Sequence, residues 1–247
     1  MRYLILSDMH ANWDALQTVL RRVRRKSFDA IFVLGDLVGY GASPNQVVEA
    51  LRRLKPKKLW VRGNHDKVVA GIESGENFNK VARRAADWTA DHLTAQNMRF
   101  VRNLPAGPAE ALPGVLLCHG SPLDEDMYVF SAHDTVEVFQ RIDSPVVFFG
   151  HTHIASIFVL SGGEVEAQLL RGDGGRMELD PDCRYLINPG SIGQPRDHDP
   201  RAAHMVYDSD RNIISWYKTE YPIQRAQERI WRAGLPPVLA QRLAIGS

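Results

Sequence analysis

Two hydrophobic textures alternate along the first sixty residues. Residues 3–6 form a nearly continuous apolar run, the pattern of a strand buried on both faces. Asn12 then opens a stretch in which Trp13, Leu16, Val19, Leu20 and Val23 recur at three- and four-residue spacings, predicting an amphipathic helix. Residues 30–34 predict a second buried strand, stopped at Gly35. Ser43-Pro44 reads as a cap followed by proline at the first helical position, launching a helix through Val47 to Leu54. Residues 58–61 predict a third strand. Strand, helix, strand, helix, strand with short links implies parallel βαβ units with right-handed crossovers.

Residues 79–98 predict one longer helix, with Val81, Ala85, Trp88 and His92 along one side. Beyond Pro105 the texture changes to short β runs at 115–118, 146–149 and 156–160. Gly162-Gly163 predicts a hairpin turn into the more alternating segment 164–171. A further hairpin joins 204–207 to 213–217 around Ser209-Asp210, and two closing helices occupy about 222–245, broken at Gly234-Leu-Pro-Pro. With no internal repeat and no low-complexity linker, residues 1–247 read as a single α/β domain: two packed sheets with helices outside.

The polar residues that carry chemistry fall just after the predicted strands. They are Ser7-Asp8-Met9-His10, Gly35-Asp36, Arg62-Gly63-Asn64-His65-Asp66, His119-Gly120 and Gly150-His151-Thr152-His153. In α/β sheets, ligands gather at the carboxyl ends of strands, where loops converge. Each block alone has a plain structural reading as a turn, a cap or a half-buried histidine. Together they would strand carboxylates and imidazoles in one cleft unless a cation joined them. Two carboxylates, four imidazoles and the Asn64 amide oxygen are too many donors for one tetrahedral zinc. They suit two ions of higher coordination, and mixed nitrogen and oxygen donors without thiolate favour manganese, iron or zinc.

Composition narrows the classes further. A formal net charge of +1 provides no global field for nucleic acid or an anionic membrane. The basic run Arg21, Arg22, Arg24, Arg25 and Lys26 reads as the solvated last turn of an amphipathic helix. Two cysteines, Cys118 and Cys183, form no CxxC pair and fit a reducing compartment, so the cytoplasm is the expected location. Cys118 alternates away from His119 and reads as a small core residue. No segment approaches the length of a membrane span, and no glycine-rich phosphate loop follows the first strand.

The ordered series Asp8-x-His10, Gly35-Asp36, Gly63-Asn64-His65-Asp66, His119-Gly120 and Gly150-His151-Thr152-His153 resembles the five-block signature of calcineurin-like metallophosphoesterases. Asn188-Pro-Gly-Ser-Ile-Gly-Gln-Pro-Arg196 and the tail Gly234–Leu243 resemble the compact bacterial phosphodiesterase and phosphatase branch. The resemblance implies a four-layer α/β/β/α sandwich of two mixed sheets with flanking helices. It implies that Asp8, His10 and His153 hold one metal, that Asn64, His119 and His151 hold the other, and that Asp36 bridges them. All seven positions carry the expected residue type, which sets the chain apart from scaffold members that have lost ligands.

The expected reaction is hydrolysis of a phosphodiester, or also of a monoester, by a hydroxide bridging two divalent ions about 3.5–4 Å apart. His65 is the expected general acid and Asp66 the group that orients or charges it. Arg62 stands as a phosphate contact or as a surface ion pair, and both readings stay open. Arg196 can reach the mouth of the site. Asn12 and Tyr40 line the cleft, unless they are a helix cap and a core aromatic. A phosphatase acting on phosphoserine, phosphothreonine or dinucleoside polyphosphates is the alternative. The expected partner is a small phosphate ester, not nucleic acid or membrane, and nothing in the sequence specifies an oligomer. A non-catalytic interaction module is the rival class, and the intact donor set speaks against it.

Overall fold

A computed structural model describes all residues, Met1–Ser247, and shows two six-stranded mixed sheets packed face to face. The first half of the chain winds β1 (Arg2–Leu6), α1 (Trp13–Val23), β2 (Ala30–Val33), α2 (Pro44–Arg53) and β3 (Lys57–Trp60). These three strands pair in parallel, as the βαβ pattern predicts. Next come α3 (Asn64–Val69), α4 (Lys80–His92) and α5 (Ala95–Arg102). The strands β4 (Ala109–Leu112) and β5 (Val115–Leu117) precede α6 (Ala132–Arg141) and β6 (Val146–Phe148). A run of strands follows: β7 (Ser156–Ser161), β8 (Glu164–Leu169), β9 (Gly174–Glu178), β10 (Arg184–Asn188), β11 (Ala202–Asp208) and β12 (Ile213–Thr219). Helices α7 (Ile223–Arg232) and α8 (Pro237–Ile245) close the chain.

One sheet has the order β3-β2-β1-β11-β12-β9 and the other β4-β5-β6-β10-β7-β8. Alternation along the strands sorts side chains between the layers. Tyr3 and Ile5 of β1 and Phe32 of β2 enter the core between the sheets, whereas Leu4, Leu6, Ile31 and Val33 face the helices. The helix-side core also takes Ala226 and Ile230 of α7 and Leu239 and Leu243 of α8. On the far side, Val138 and Phe139 of α6 pack on the second sheet with Cys118 and Phe149. The order of layers is therefore helices, sheet, sheet, helix, the four-layer sandwich. Both expected hairpins form, β7 with β8 and β11 with β12. No helix is long and apolar enough to cross a membrane.

Three departures from the sequence reading have local causes. The single helix expected over 79–98 is two, because Leu93 leaves the helical conformation and the Thr94 side chain accepts from the Asn97 amide to cap α5. Helix α6, absent from the sequence reading, starts at Ser131, whose N–H and hydroxyl both donate to Asp134. That Ser-x-x-Asp spacing is a capping signature. Strand β10 has only Tyr185-Leu-Ile187 between two polar residues, yet it pairs with β6 on one side and β7 on the other.

Buried on the helix-facing side of β11 is His204, 1% exposed, stacked on Tyr217 at 5.2 Å with neither ring nitrogen hydrogen-bonded. Burial, reinforced by Arg22 and Lys26, pushes its pKa down to about 3. The folded state therefore holds it neutral, while the unfolded chain takes up a proton near pH 6.5. Stability from this group is complete above that pH and falls below it by about 1.4 kcal/mol per unit until the folded pKa is reached. Replacing His204 with Phe should remove about 2 kcal/mol of the loss in unfolding free energy between pH 7 and pH 5, measured by urea denaturation. Parallel acid limbs for the two proteins would contradict this.

Candidate active site

Six parallel strand ends converge on one cleft. The turns after β1, β2 and β3 deliver Asp8 and His10, Asp36, and Asn64; those after β5, β6 and β10 deliver His119, His151 and His153, and Gln194. The turns are strained at the functional residues themselves. Asp8, His10, Asp36, His151 and His153 have φ between 44° and 65°, the left-handed region that L side chains rarely adopt. Each such residue costs of order 1–3 kcal/mol and persists only where its surroundings over-determine it. Gly63 and Gly150 have no positive φ and supply space. A Cβ on Gly63 would strike the Asp36 carboxylate, and one on Gly150 would strike the Ser7 hydroxyl and lie 2.8 Å from Asp8 Oδ2.

The structure gathers the predicted residues into two buried groups that share one carboxylate: Asp8, His10, Asp36 and His153, and Asp36, His119 and His151. Asp36 Oδ2 lies 3.4 Å from Nε2 of both His10 and His119. Asn64 Oδ1 completes the second group, 3.2 Å from His119 Nε2. Each of the four imidazoles has its other ring nitrogen beside a backbone carbonyl. His10 Nδ1 reaches Val38 O at 3.1 Å, His119 Nδ1 Leu34 O at 2.7 Å, His153 Nδ1 Gln194 O at 2.5 Å and His151 Nε2 Asp126 O at 3.0 Å. A carbonyl only accepts, so the facing nitrogen carries the hydrogen; in His10, His151 and His153, which burial keeps neutral, the opposite nitrogen turns a lone pair into the cleft.

Those lone pairs meet one another. His10 Nε2 and His153 Nε2 are 3.0 Å apart, and His153 Nε2 is 3.4 Å from Asp8 Oδ1. Acceptors at that separation repel unless a positive charge stands between them. Burial pushes Asp8 up to about 7, whereas the imidazoles of His119, His65 and His10 overcome burial and hold Asp36 well below the usual carboxylate range. Burial alone would lower His119, but the Asp36 carboxylate beside it lifts it to about 10. The residues present fit divalent cations: nitrogen and oxygen donors, no thiolate, rings held in one tautomer and a shared carboxylate.

The other expected residues divide. His65 is 3% exposed, its ring against Tyr40, Phe78 and His10 at 4.3, 4.6 and 4.9 Å, and its Nδ1 has no hydrogen-bond partner. It thus lacks the carbonyl tether that marks the four gathered imidazoles. Arg196 joins the cleft, donating to Tyr40 Oη at 3.3 Å and Gln194 Oε1 at 3.4 Å, with no carboxylate partner.

One expectation needs correction, and two open readings are resolved. Asp66 does not touch the His65 ring, because Oδ1 accepts from the Leu37 and Val38 amides and Oδ2 from the Gly63 amide, at 3.0, 3.3 and 3.1 Å. It ties α3 to the turn that carries Asp36. Of the two readings of Arg62 the ion pair holds, since Glu125 takes it in a two-point pair at 3.2 and 2.9 Å. Asn12 is a buried cap: Oδ1 accepts from the Ala15 amide and Nδ2 donates to Gly193 O and Tyr221 Oη. Sequence reasoning missed Phe78 and Tyr128, whose ring stacks on His151 at 3.8 Å. The aromatic alternation Tyr128-x-Phe130 just after the acidic segment Asp124-Glu125-Asp126 was the available signal.

The sequence model of the calcineurin-like phosphoesterase superfamily domain matches residues 1–211. The chain belongs to the calcineurin-like phosphoesterase family. It is a metal-dependent phosphoric ester hydrolase. A metallophosphoesterase from Sphaerobacter thermophilus, 36% identical, superposes with a TM-score of 0.84 over 100% of this chain and 99% of its own. An uncharacterized protein of Methanocaldococcus jannaschii is 38% identical over 98% of this chain and 97% of its own length. A more partial likeness links the chain to a symmetrical bis(5'-nucleosyl)-tetraphosphatase of Baumannia cicadellinicola, 30% identical over 124 residues, which are 48% of this chain and 42% of that protein.

In this calcineurin-like phosphoesterase the Asp66 carboxylate is a backbone tether, and that role is testable. Asp66→Asn places an amide where the Gly63 N–H needs an acceptor, or where Leu37 and Val38 do. It should cost about 1–3 kcal/mol of unfolding free energy in urea. A variant as stable as wild type would contradict the tether.

Proposed function

We propose that the protein hydrolyses phosphodiesters, and monoesters more slowly, at a centre of two divalent cations, with the chain acting as one catalytic unit. The reading rests on Asp36, whose Oδ2 faces both donor groups at equal distance, beside an imidazole, His65, that is left free. When bound, the cations supply charge that polarises phosphoryl oxygens and yields a nucleophile from water near neutral pH. Asp8, His10 and His153 would hold one of them, Asn64, His119 and His151 the other, with Asp36 shared. Manganese, iron and zinc all suit this donor set.

The rest falls to the chain's own side chains. The carbonyls of Val38, Leu34, Gln194 and Asp126 hold the imidazoles before any ligand arrives, so little reorganisation accompanies binding. His65 hands a proton to the departing ester oxygen; no backbone carbonyl tethers its ring, and Tyr40 and Phe78 fix it. Arg196, free of any carboxylate and aimed by Tyr40 Oη and Gln194 Oε1, holds a non-bridging phosphate oxygen. The cleft stays open on the side of Asn64 and His151, and this room for a second substituent on phosphorus supports the diester preference.

The partial likeness to a protein named as a symmetrical bis(5'-nucleosyl)-tetraphosphatase favours a second reading, in which the substrate is a dinucleoside polyphosphate or a phosphomonoester. Turnover of bis-p-nitrophenyl phosphate, p-nitrophenyl phosphate and diadenosine tetraphosphate by the manganese-loaded protein separates the two. The diester should lead, and monoester or tetraphosphate turnover far above it would reverse the order.

The role of His65 predicts dependence on the leaving group. His65→Ala should lower kcat by roughly 10²–10⁴-fold on a methyl ester, whose alkoxide needs a proton, and far less on a p-nitrophenyl ester. Metal content should not change. Equal losses on both esters would remove His65 from the proton-donating role.

A further inference from the structure

The open side of the cleft has a chemistry of its own. A recess of about 470 Å³ begins at Asn64 and His151 and is walled by Phe78, Tyr128 and the carboxylates of Glu76 and Asp126. That size lies within the range of about 300–1,000 Å³ that small organic ligands occupy. Three rings rise from the metal-side histidine toward solvent: Tyr128 stacks on His151 at 3.8 Å and 29°, and Phe130 stacks on Tyr128 at 5.3 Å and 6°. Tyr128 is 44% and Phe130 58% exposed, an arrangement that leaves aromatic surface in water with nothing in the chain to cover it. Phe78, part of the same wall, packs on His65.

The loop that bears Tyr128 is held firmly. Glu125 is gripped by Arg62, and the nearly buried Lys67 ammonium pairs with Asp126 at 2.8 Å and Glu73 at 2.7 Å. These pairs fix the height of Tyr128 above the metal-side residues. They also set the charge of the recess, since no lysine or arginine lines it and Glu76 has no cationic partner. A second phosphate there would meet the unpaired Glu76 carboxylate and two more whose lysine partner is already engaged, whereas the free guanidinium of Arg196 lies on the Tyr40 side. The recess is built for something flat and uncharged.

We infer that the recess between Phe78 and Tyr128 receives the nucleobase of a nucleotide ester, so that the preferred substrate carries a nucleoside on the phosphate held at the Asp36 centre. This rests on the phosphoesterase reading above and narrows its substrate class. Base–aromatic stacking tolerates any base, because every base presents a π face. Phe78 and Tyr128 are specificity-determining residues; because Phe78 also packs on His65, its part in holding the base is read from the ratio of two substrates and not from the rate on either.

Two esters with the same scissile bond test it: adenosine 5'-(methyl phosphate) and ribose 5-(methyl phosphate), given to the manganese-loaded protein. The base should raise kcat/KM by on the order of tenfold or more. Phe78→Ala and Tyr128→Ala should bring the two substrates to within about twofold of each other, and Tyr128→Phe, which keeps the ring, should restore the preference. Metal content of each variant checks that His151 still sits in place, and Phe78→Ala decides if Tyr128→Ala loses metal. Equal kcat/KM for both esters in the wild type, or a preference that survives both alanine variants, overturns the inference while leaving the esterase reading intact. If neither ester turns over, that reading fails instead. Calorimetric binding of AMP against ribose 5-phosphate then decides the recess alone: tighter AMP binding that Phe78→Ala abolishes supports it, and equal binding overturns it.

Discussion

His10 Nε2 and His153 Nε2 lie 3.0 Å apart with their other nitrogens committed to carbonyls, and Asp36 Oδ2 stands 3.4 Å from His10 and from His119. Without positive charge between them, the His10 and His153 nitrogens and the carboxylates beside them would drive the strand-end loops apart. The surrounding structure is organised to prevent that. Asp66 binds the Asp36 turn to α3, Ser7 donates to Asp8, and the Asn188 amide donates to Gly150 O and Thr152 Oγ1 beneath the His151–His153 turn. The left-handed backbone at five of the gathered residues is the conformational cost of aiming them inward, and the two packed sheets supply the rigidity that sustains it. Cations that bind only the folded state would add to its stability by mass action.

The two flanks of the cleft differ in charge for reasons that reach into the fold. On one flank Arg196 hangs from Tyr40 and Gln194 without an acid to neutralise it. On the other, the two cations that hold the Tyr128 loop are already engaged: Arg62 by Glu125, and Lys67 by Asp126 and Glu73. Spending those cations on loop geometry leaves an aromatic, acid-rimmed surface. The same electrostatic arrangement thus tethers the loop and selects what can lie against it.

Much of this was legible in the chain. Short strands buried on both faces announce themselves as apolar runs, and polar blocks placed just after them locate the cleft before any coordinates are known. Reading failed where the decisive partner was distant or the local signal too brief. Nothing near Arg62 announces Glu125, 63 residues away, and nothing in Asn64-His65-Asp66 says that the carboxylate serves backbone amides across the turn. Strand β10 hid because three apolar residues between Arg184 and Asn188 are too few to show a period. The 79–98 helix split because Thr94 could cap a new one, a signal weaker than the continuing hydrophobic spacing. The unusual backbone belongs to the aspartates and histidines, while Gly63 and Gly150 stay in ordinary conformations and merely make room.

A shared carboxylate between two cations is the claim on which the chemistry depends. Anomalous scattering from crystals soaked in manganese measures it directly. The account predicts two peaks about 3.5–4 Å apart, one on each side of Asp36, with the His10 and His153 rings on one and the His119 and His151 rings on the other. A single peak, or solvent alone in the cleft, would contradict it.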